Sequence, residues 1–215
     1  MKHITLFLFL LLSITISTFH SQQLFLETGS CSSSFDYLNS AGEPLDNLQS
    51  KSQNVMQMGC RIPGFKDFLS YTFTVSYTGY GAIGSDSLYV NYMEWDLNYI
   101  QFHAGLDVRA LSWGPNELVF KVNSSFGYLI QGTQVLNNSV FDLVGKEEFH
   151  NTLFSLVMGV SVNRQVTEDL TIYMQFANGI GDPLGVKRTD LEERLRLKSR
   201  CVSLGVLMQI NRDKS

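Results

Sequence analysis

Six charged side chains place the strongest chemical demand on this sequence. Arg61, Glu94, Asp96, Asp107, Arg109 and Lys121 all sit in stretches otherwise built from apolar, hydroxyl and amide residues. An unpaired charge in a confined space is costly, so each needs a partner. Turned toward a common interior, they would form a hydrogen-bonded ionic network that plugs a narrow lumen; the other use of such a network is to line a conducting path. Catalytic candidates are thinner. His150 with Ser139 or Glu148 could support acyl transfer or ester cleavage at a rim, but a His beside Glu and Asn in a polar loop is ordinarily solvated, and nothing fixes its partners. Gly179, Gly181 and Gly185 follow a strand in "NGIGDPLG", yet Pro183 and the charged segment beyond it make this a surface loop. There is no phosphate-cradling glycine loop, Gly-x-Ser-x-Gly elbow or His-Glu-x-x-His pair. Cys31, Cys60 and Cys201 are odd in number and lack the paired short spacings of a zinc site. The sequence therefore predicts no catalytic residue, no cofactor and no metal.

What must position the six charges is a set of strands. From Leu69 to Tyr77 the odd positions are apolar and the even ones are Ser or Thr, a period of two that belongs to a strand with two unlike faces. The same alternation runs through Leu118–Ile130, Phe154–Val162, Leu170–Phe176 and Val202–Ile210. Weaker strands are expected at 24–35 and 53–62 and across 88–111. In the last of these the apolar phase moves from Met93, Trp95, Leu97 and Tyr99 to Ile100, Phe102, Ala104, Leu106 and Val108, a shift that one bulged residue would explain. Eight strands result. Connections at 36–52, 79–87, 132–150 and 178–193 are long, and those at 63–67, 112–117 and 163–169 are short. Strict alternation of long and short loops puts all long loops at one end of an up-and-down sheet. Within the last long connection, Thr189 and Glu192 at capping-box spacing, with Leu191 and Leu195, predict a short helix in 187–200.

Composition says which face is which. Charged residues make up 17% and aromatics 12% of 215 residues, so the surface is not the charged one of an ordinary soluble domain. The polar strand face is Ser, Thr, Gly, Gln and Asn, which suits an enclosed lumen, and its glycines make room there. The apolar face is then left for lipid. Trp95 with Tyr77, Tyr80, Tyr89, Tyr92 and Tyr128 at the long-loop end, and Trp113 with Phe65 and Phe68 at the other, would form two interfacial aromatic girdles. Lys2 and His3 ahead of the apolar run Ile4–Ile16 have the order of a secretory signal peptide, with cleavage expected between residues 17 and 23. The division is thus 1–21 leader and 22–215 barrel. In an exported chain Cys31 and Cys201 would pair if the first and last strands are neighbours. A net charge of −4 gives no basic footprint for nucleic acid.

The leader, the eight alternating segments, the long fourth strand from Tyr92 to Ala110, the "TLFSLVMGVSVNRQVTEDLTIYMQFANGIGD" hairpin and the closing "CVSLGVLMQI" together resemble the small, porin-like outer-membrane β-barrel family widespread in Bacteroidota. The resemblance implies an all-β, eight-stranded antiparallel up-and-down transmembrane barrel in the outer membrane, with long external loops and short periplasmic turns. A plugged small barrel leaves only surfaces to act with. The expected function is therefore non-enzymatic: a structural or interaction subunit of an envelope assembly, with outer-membrane lipids and other envelope proteins as partners and no nucleic acid. A narrow channel, a lipid-modifying enzyme and a secreted soluble barrel that lines a lipid cavity with its apolar residues are the alternatives.

Overall fold

The computed structural model describes residues 22–38, 48–86, 91–145, 151–183 and 194–210. The expected leader and its cleavage point up to residue 21, together with Tyr89, Glu148, His150, Gly185, Thr189, Leu191 and Glu192, lie outside them. Among the described residues there are nine strands: β1 (Gln22–Leu38), β2 (Gln49–Pro63), β3 (Leu69–Asp86), β4 (Asn91–Trp113), β5 (Asn116–Leu136), β6 (Ser139–Asp142), β7 (Thr152–Gln165), β8 (Leu170–Pro183) and β9 (Arg194–Ile210). Eight of them pair antiparallel in the cyclic order β1-β2-β3-β4-β5-β7-β8-β9, and β9 closes on β1 over 17 residues of each strand. The ninth, β6, folds back on the upper end of β5 through Asn137 and Asn138. Both asparagines have positive φ, 47° and 69°, the type I′ geometry that asparagine tolerates better than most residues.

Following paired residues round the wall from Leu24 through Cys60, Phe73, Ala104, Ser124, Leu156, Ile180 and Lys198 returns to β1 at Ser34, a stagger of ten residues. Eight strands with that stagger tilt by about 40°. A strand then needs about ten residues to cross a 25 Å apolar band. β4 has 23 and rises about 58 Å, so the wall continues well beyond the band at the long-loop end.

The alternation read from the sequence holds on the lower two-thirds of the wall. Tyr71, Phe73, Val75 and Tyr77 face out while Ser70, Thr72, Thr74, Ser76 and Thr78 are buried inside. Phe120, Val122, Phe126, Phe154, Leu156, Met174, Phe176, Val202 and Leu204 continue the outer belt. The upper third inverts. There the apolar side chains turn inward, and Phe35, Tyr80, Ala82, Leu97, Tyr99, Leu129, Leu143, Leu153 and Leu197 pack into one buried cluster, with Trp95 against it.

Three expectations are corrected. The apolar phase of β4 changes at residue 99/100 because the apolar residues move from one wall face to the other along a regular strand. The bulge there belongs to β5, where Asn98 pairs with Gln131 and Tyr99 with Leu129, leaving Ile130 extra. Connections expected to be long are shortened because β3 runs on to Asp86 and β8 to Pro183. The helix expected in 187–200 is overturned for its second half, since Arg194–Arg200 is strand and pairs with Leu38–Ser32 of β1. Its alternation of basic residues with Leu195, Leu197 and Ser199 is a strand pattern.

Candidate functional site

The lumen is filled by side chains from every barrel strand. At its lower half β1 supplies Glu27, β2 Arg61, β4 Asp107, β5 Lys121, β8 Tyr173 and β9 Ser203. Glu27 is 2% exposed and accepts hydrogen bonds from the Tyr173 hydroxyl at 2.8 Å and from the Ser203 hydroxyl. Arg61 Nε stands 3.5 Å from Asp107 Oδ2. The Lys121 ammonium sits over the Tyr173 ring at 4.7 Å and the Phe25 ring at 5.9 Å, a cation–π placement that stabilises a partly desolvated ammonium. Two carboxylates thus face two cations, so the interior carries no net charge from these four. The Tyr173 ring lies against Gly205, where a Cβ would come within 2.3 Å of it; here glycine is needed for a ring to cross the lumen.

Neutral polar contacts run through the top of this layer and above it. Ser76 Oγ and His103 Nε2 are 2.8 Å apart, the Tyr80 hydroxyl donates to Gln101 at 3.0 Å, and the Thr72 hydroxyl donates to Asn123 at 3.1 Å. The space left among these side chains is about 60 Å³, room for a few waters and no more. The upper apolar cluster closes the top. A Cys31–Cys201 disulfide crosses the β1–β9 seam at the lower edge of this cluster, where the first and last strands are neighbours.

The structure distributes the six charged residues among three places. Arg61, Asp107 and Lys121 are in the lumen. Arg109 is at the short-turn rim, where it donates to Glu117 at 3.0 Å and to the Asp67 carbonyl at 2.7 Å. Glu94 and Asp96 are not in the lumen. They alternate with inward Trp95 and Leu97, so they lie on the outer wall above the belt, where Lys51 reaches each at 2.5 Å. Lys51 gets there by crossing Gly81, whose Cβ would stand 2.9 Å from the lysine stem. Gln53 also donates to Asp96, and the Tyr92 hydroxyl donates to Glu94 at 2.6 Å. These hydrogen bonds from Lys51 and Tyr92 hold the Glu94 carboxyl below its ordinary range. For Lys51 burial pulls the ammonium down, but the hydrogen bonds to Asp96 and Glu94 outweigh it and raise its pKa.

The girdle residues divide as well. Tyr77 and Tyr128 are exposed at the upper border of the belt, and Trp113, Phe65 and Phe68 are exposed at the lower end. Tyr92 is higher on the outer wall. Trp95 is inside, edge-on to Phe35 at 6.1 Å, and Tyr80 is buried, because both belong to the inverted upper third. Of the rim candidates for catalysis, Ser139 is exposed on β6; its proposed partners lie outside the described residues. Gly179 and Gly181 are within β8 and form no loop. No cluster of three or more potential metal ligands occurs among the described residues. The residues missed were Glu27 and Lys51. Glu27 could have been found as the one charged residue on the inward phase Phe25, Glu27, Gly29, Cys31; Lys51 lay beyond the start expected for its strand.

A closed, side-chain-filled antiparallel barrel with an apolar outer belt is the architecture of outer-membrane β-barrels, and that is the fold class of this chain. No protein-family model and no curated protein matches it. Among solved structures it is similar to the outer membrane protein OprG of Pseudomonas aeruginosa, at 8% identity and TM-score 0.52, over 90% of this chain and 98% of that one. It is likewise similar to the outer membrane protease OmpT of Escherichia coli, at 8% identity and TM-score 0.50, with the same coverage of 90% and 98%. Neisserial surface protein A aligns at 15% identity and TM-score 0.49, over 87% and 97%.

Proposed function

We propose that this chain is an exported, integral outer-membrane barrel that passes no solute along its axis and acts through its outer wall and upper rim, as a structural or interaction subunit of the cell envelope. The observation that carries this reading is the filled interior: a charge-balanced lower layer, a hydroxyl and amide layer with about 60 Å³ left over, and an apolar lid above. A pore needs a continuous polar path, and the lid interrupts it. What remains for function is the surface. On it the wall stands well above the belt and carries the Lys51–Glu94–Asp96 cluster and the β5–β6 hairpin. Membership of the Bacteroidota family, export by residues 1–21 and the non-enzymatic role belong to the same proposal, as do its partners, outer-membrane lipids and other envelope proteins.

The test is ion flux. Protein inserted into planar bilayers, with insertion verified by heat-modifiable migration in gels, should give no stepwise conductance above background. Reproducible steps would overturn the sealed reading in favour of a narrow channel. Capture of the same neighbours from gently solubilised membranes by the intact chain, and their loss when residues 137–151 are shortened, would support the interaction role. A chain that ran alone in both forms would remove it.

A further inference from the structure

The outer belt is not level all the way round. On β9 the outward series runs Met208, Val206, Leu204, Val202 and then turns basic at Arg200, with Lys198 and Arg196 above it. Arg200 pairs across the wall with Asn178 on β8 and Ser32 on β1. Asn178, Arg200 and Ser30 are all exposed. A ten-residue stagger over eight strands raises each successive strand by about 1.25 residues. That puts Arg200 at the height of Tyr77, Phe126 and Leu156 on the rest of the wall, which are apolar and exposed. The polar patch is therefore a notch cut into the upper part of the lipid-facing belt, bordered below by Phe176 and Val202.

One charge in the notch is left without an ion partner among the described residues. Lys198 pairs with Asp36 at 2.5 Å and Arg196 with Asp182 at 3.2 Å, whereas Arg200 has no ion pair among the described residues. A guanidinium on the lipid face of a barrel is destabilising in proportion to its depth, so this one calls for an anion at the same depth. The long-loop end is the outer-leaflet end in barrels of this class. The anions available at that depth are lipid phosphates, and a guanidinium flanked by amide and hydroxyl donors suits a phosphate's oxygens.

We propose that Arg200, with Asn178 and Ser32, holds the phosphate of a phosphorylated outer-leaflet lipid of the lipid A type, whose acyl chains lie on Phe176, Val202 and the belt below. The proposal rests on the outer-membrane reading above. The experiment uses full-length protein in detergent, with lipid A as the probe and retention read by native mass spectrometry. Heat-modifiable migration of every variant reports the barrel separately from the site, and carbonate-resistant membrane association of the native chain tests the reading on which the site depends.

One lipid A should be retained per chain. Arg200→Gln should weaken retention about fivefold, the scale of one basic contact near a membrane surface. Arg200→Lys should restore most of it, and Lys66→Gln at the opposite end should leave it unchanged. Dephosphorylated lipid A should not be retained, and excess inorganic phosphate should not displace the lipid. Equal retention by a folded Arg200→Gln variant, or equal retention of the dephosphorylated lipid, would overturn the proposal. Displacement by inorganic phosphate would do the same, since the site would then take free anions. A lipid-free dimer abolished by Arg200→Gln would assign the notch to a second copy of the chain instead.

Discussion

Breaking the Arg61–Asp107 pair tests whether the lumen is held as one charge-balanced network. Asp107 is 2% exposed and its partner 9%, so either charge left alone would be buried without an ion partner at that contact. Removing one member of a buried pair costs about 3–5 kcal/mol. The 3.5 Å separation here is a loose ion pair rather than a tight hydrogen bond, and Lys121 and Glu27 share the layer, so the lower end of that range applies: about 3 kcal/mol for Arg61→Met or for Asp107→Leu. The double variant removes both charges, restores balance and fills the space with apolar atoms. Its cost should fall to about 1 kcal/mol or less, since replacing a buried pair by apolar groups of similar volume is often neutral. The coupling between the two sites is then about 5 kcal/mol, far above the 0.3–0.5 kcal/mol scatter of independent sites. Urea unfolding of the vesicle-inserted protein, followed by the loss of the fast-migrating folded band, measures all four corners of the cycle. Additive single costs would refute the reasoning, because they would mean that each charge is satisfied by something other than its partner.

Three further outcomes follow from particular contacts. Cys31→Ser, which opens the bridge across a sequence separation of 170 residues, should lower stability by about 2–4 kcal/mol, and wild-type protein should show the same loss on reduction in the unfolding assay. Leu129→Ala in the lid removes a fully buried side chain and should cost about 2–5 kcal/mol; Phe102→Leu on the outer belt should cost less than half as much in the same assay. The Glu94 carboxyl should titrate below its ordinary value of 4.5 in a side-chain NMR experiment. Because its folded pKa is depressed, its contribution to stability is present above that value and is lost as pH falls through the folded pKa. Lys51→Met should move the midpoint upward and reduce that acid-range dependence, leaving the part due to the Tyr92 hydrogen bond, and an unchanged midpoint would show that Lys51 is not the cause.

Most of the barrel was legible because a lipid-facing wall enforces a strict period of two. Leu69–Tyr77 and Phe154–Val162 each declare both faces within nine residues, and the position of short turns fixes the order of strands. What was not legible comes from one physical change along each strand. Within the belt the apolar residues face out. Above it water is outside, so the same strands turn apolar residues inward to close the lumen. A reading that carries the outward phase of Ile100 and Phe102 upward must insert a bulge to keep Leu97 and Trp95 outside, and so places Glu94 and Asp96 within. The strand in fact keeps its parity from Trp95 to Asp107, and the solvent changes. Glu27 escaped for a different reason: it lies on β1, where Thr28, Ser30, Ser32 and Ser34 replace the apolar residues of other strands and blur the alternation. The same serines form part of the notch at Arg200.

Which face of the wall meets lipid is the claim on which all else depends, and tryptophan quenching by lipids brominated on their acyl chains measures it directly. Two chains are compared in vesicles, each with one tryptophan: Trp113→Phe, which leaves Trp95 inside the lid, and Trp95→Phe with Trp113→Phe and Phe102→Trp, which puts an indole on the belt. Strong quenching in the second chain and little in the first is the result required by an apolar belt outside and an apolar lid within. Strong quenching of Trp95, or none from the belt position, would contradict it and return the apolar faces to the interior of a soluble barrel.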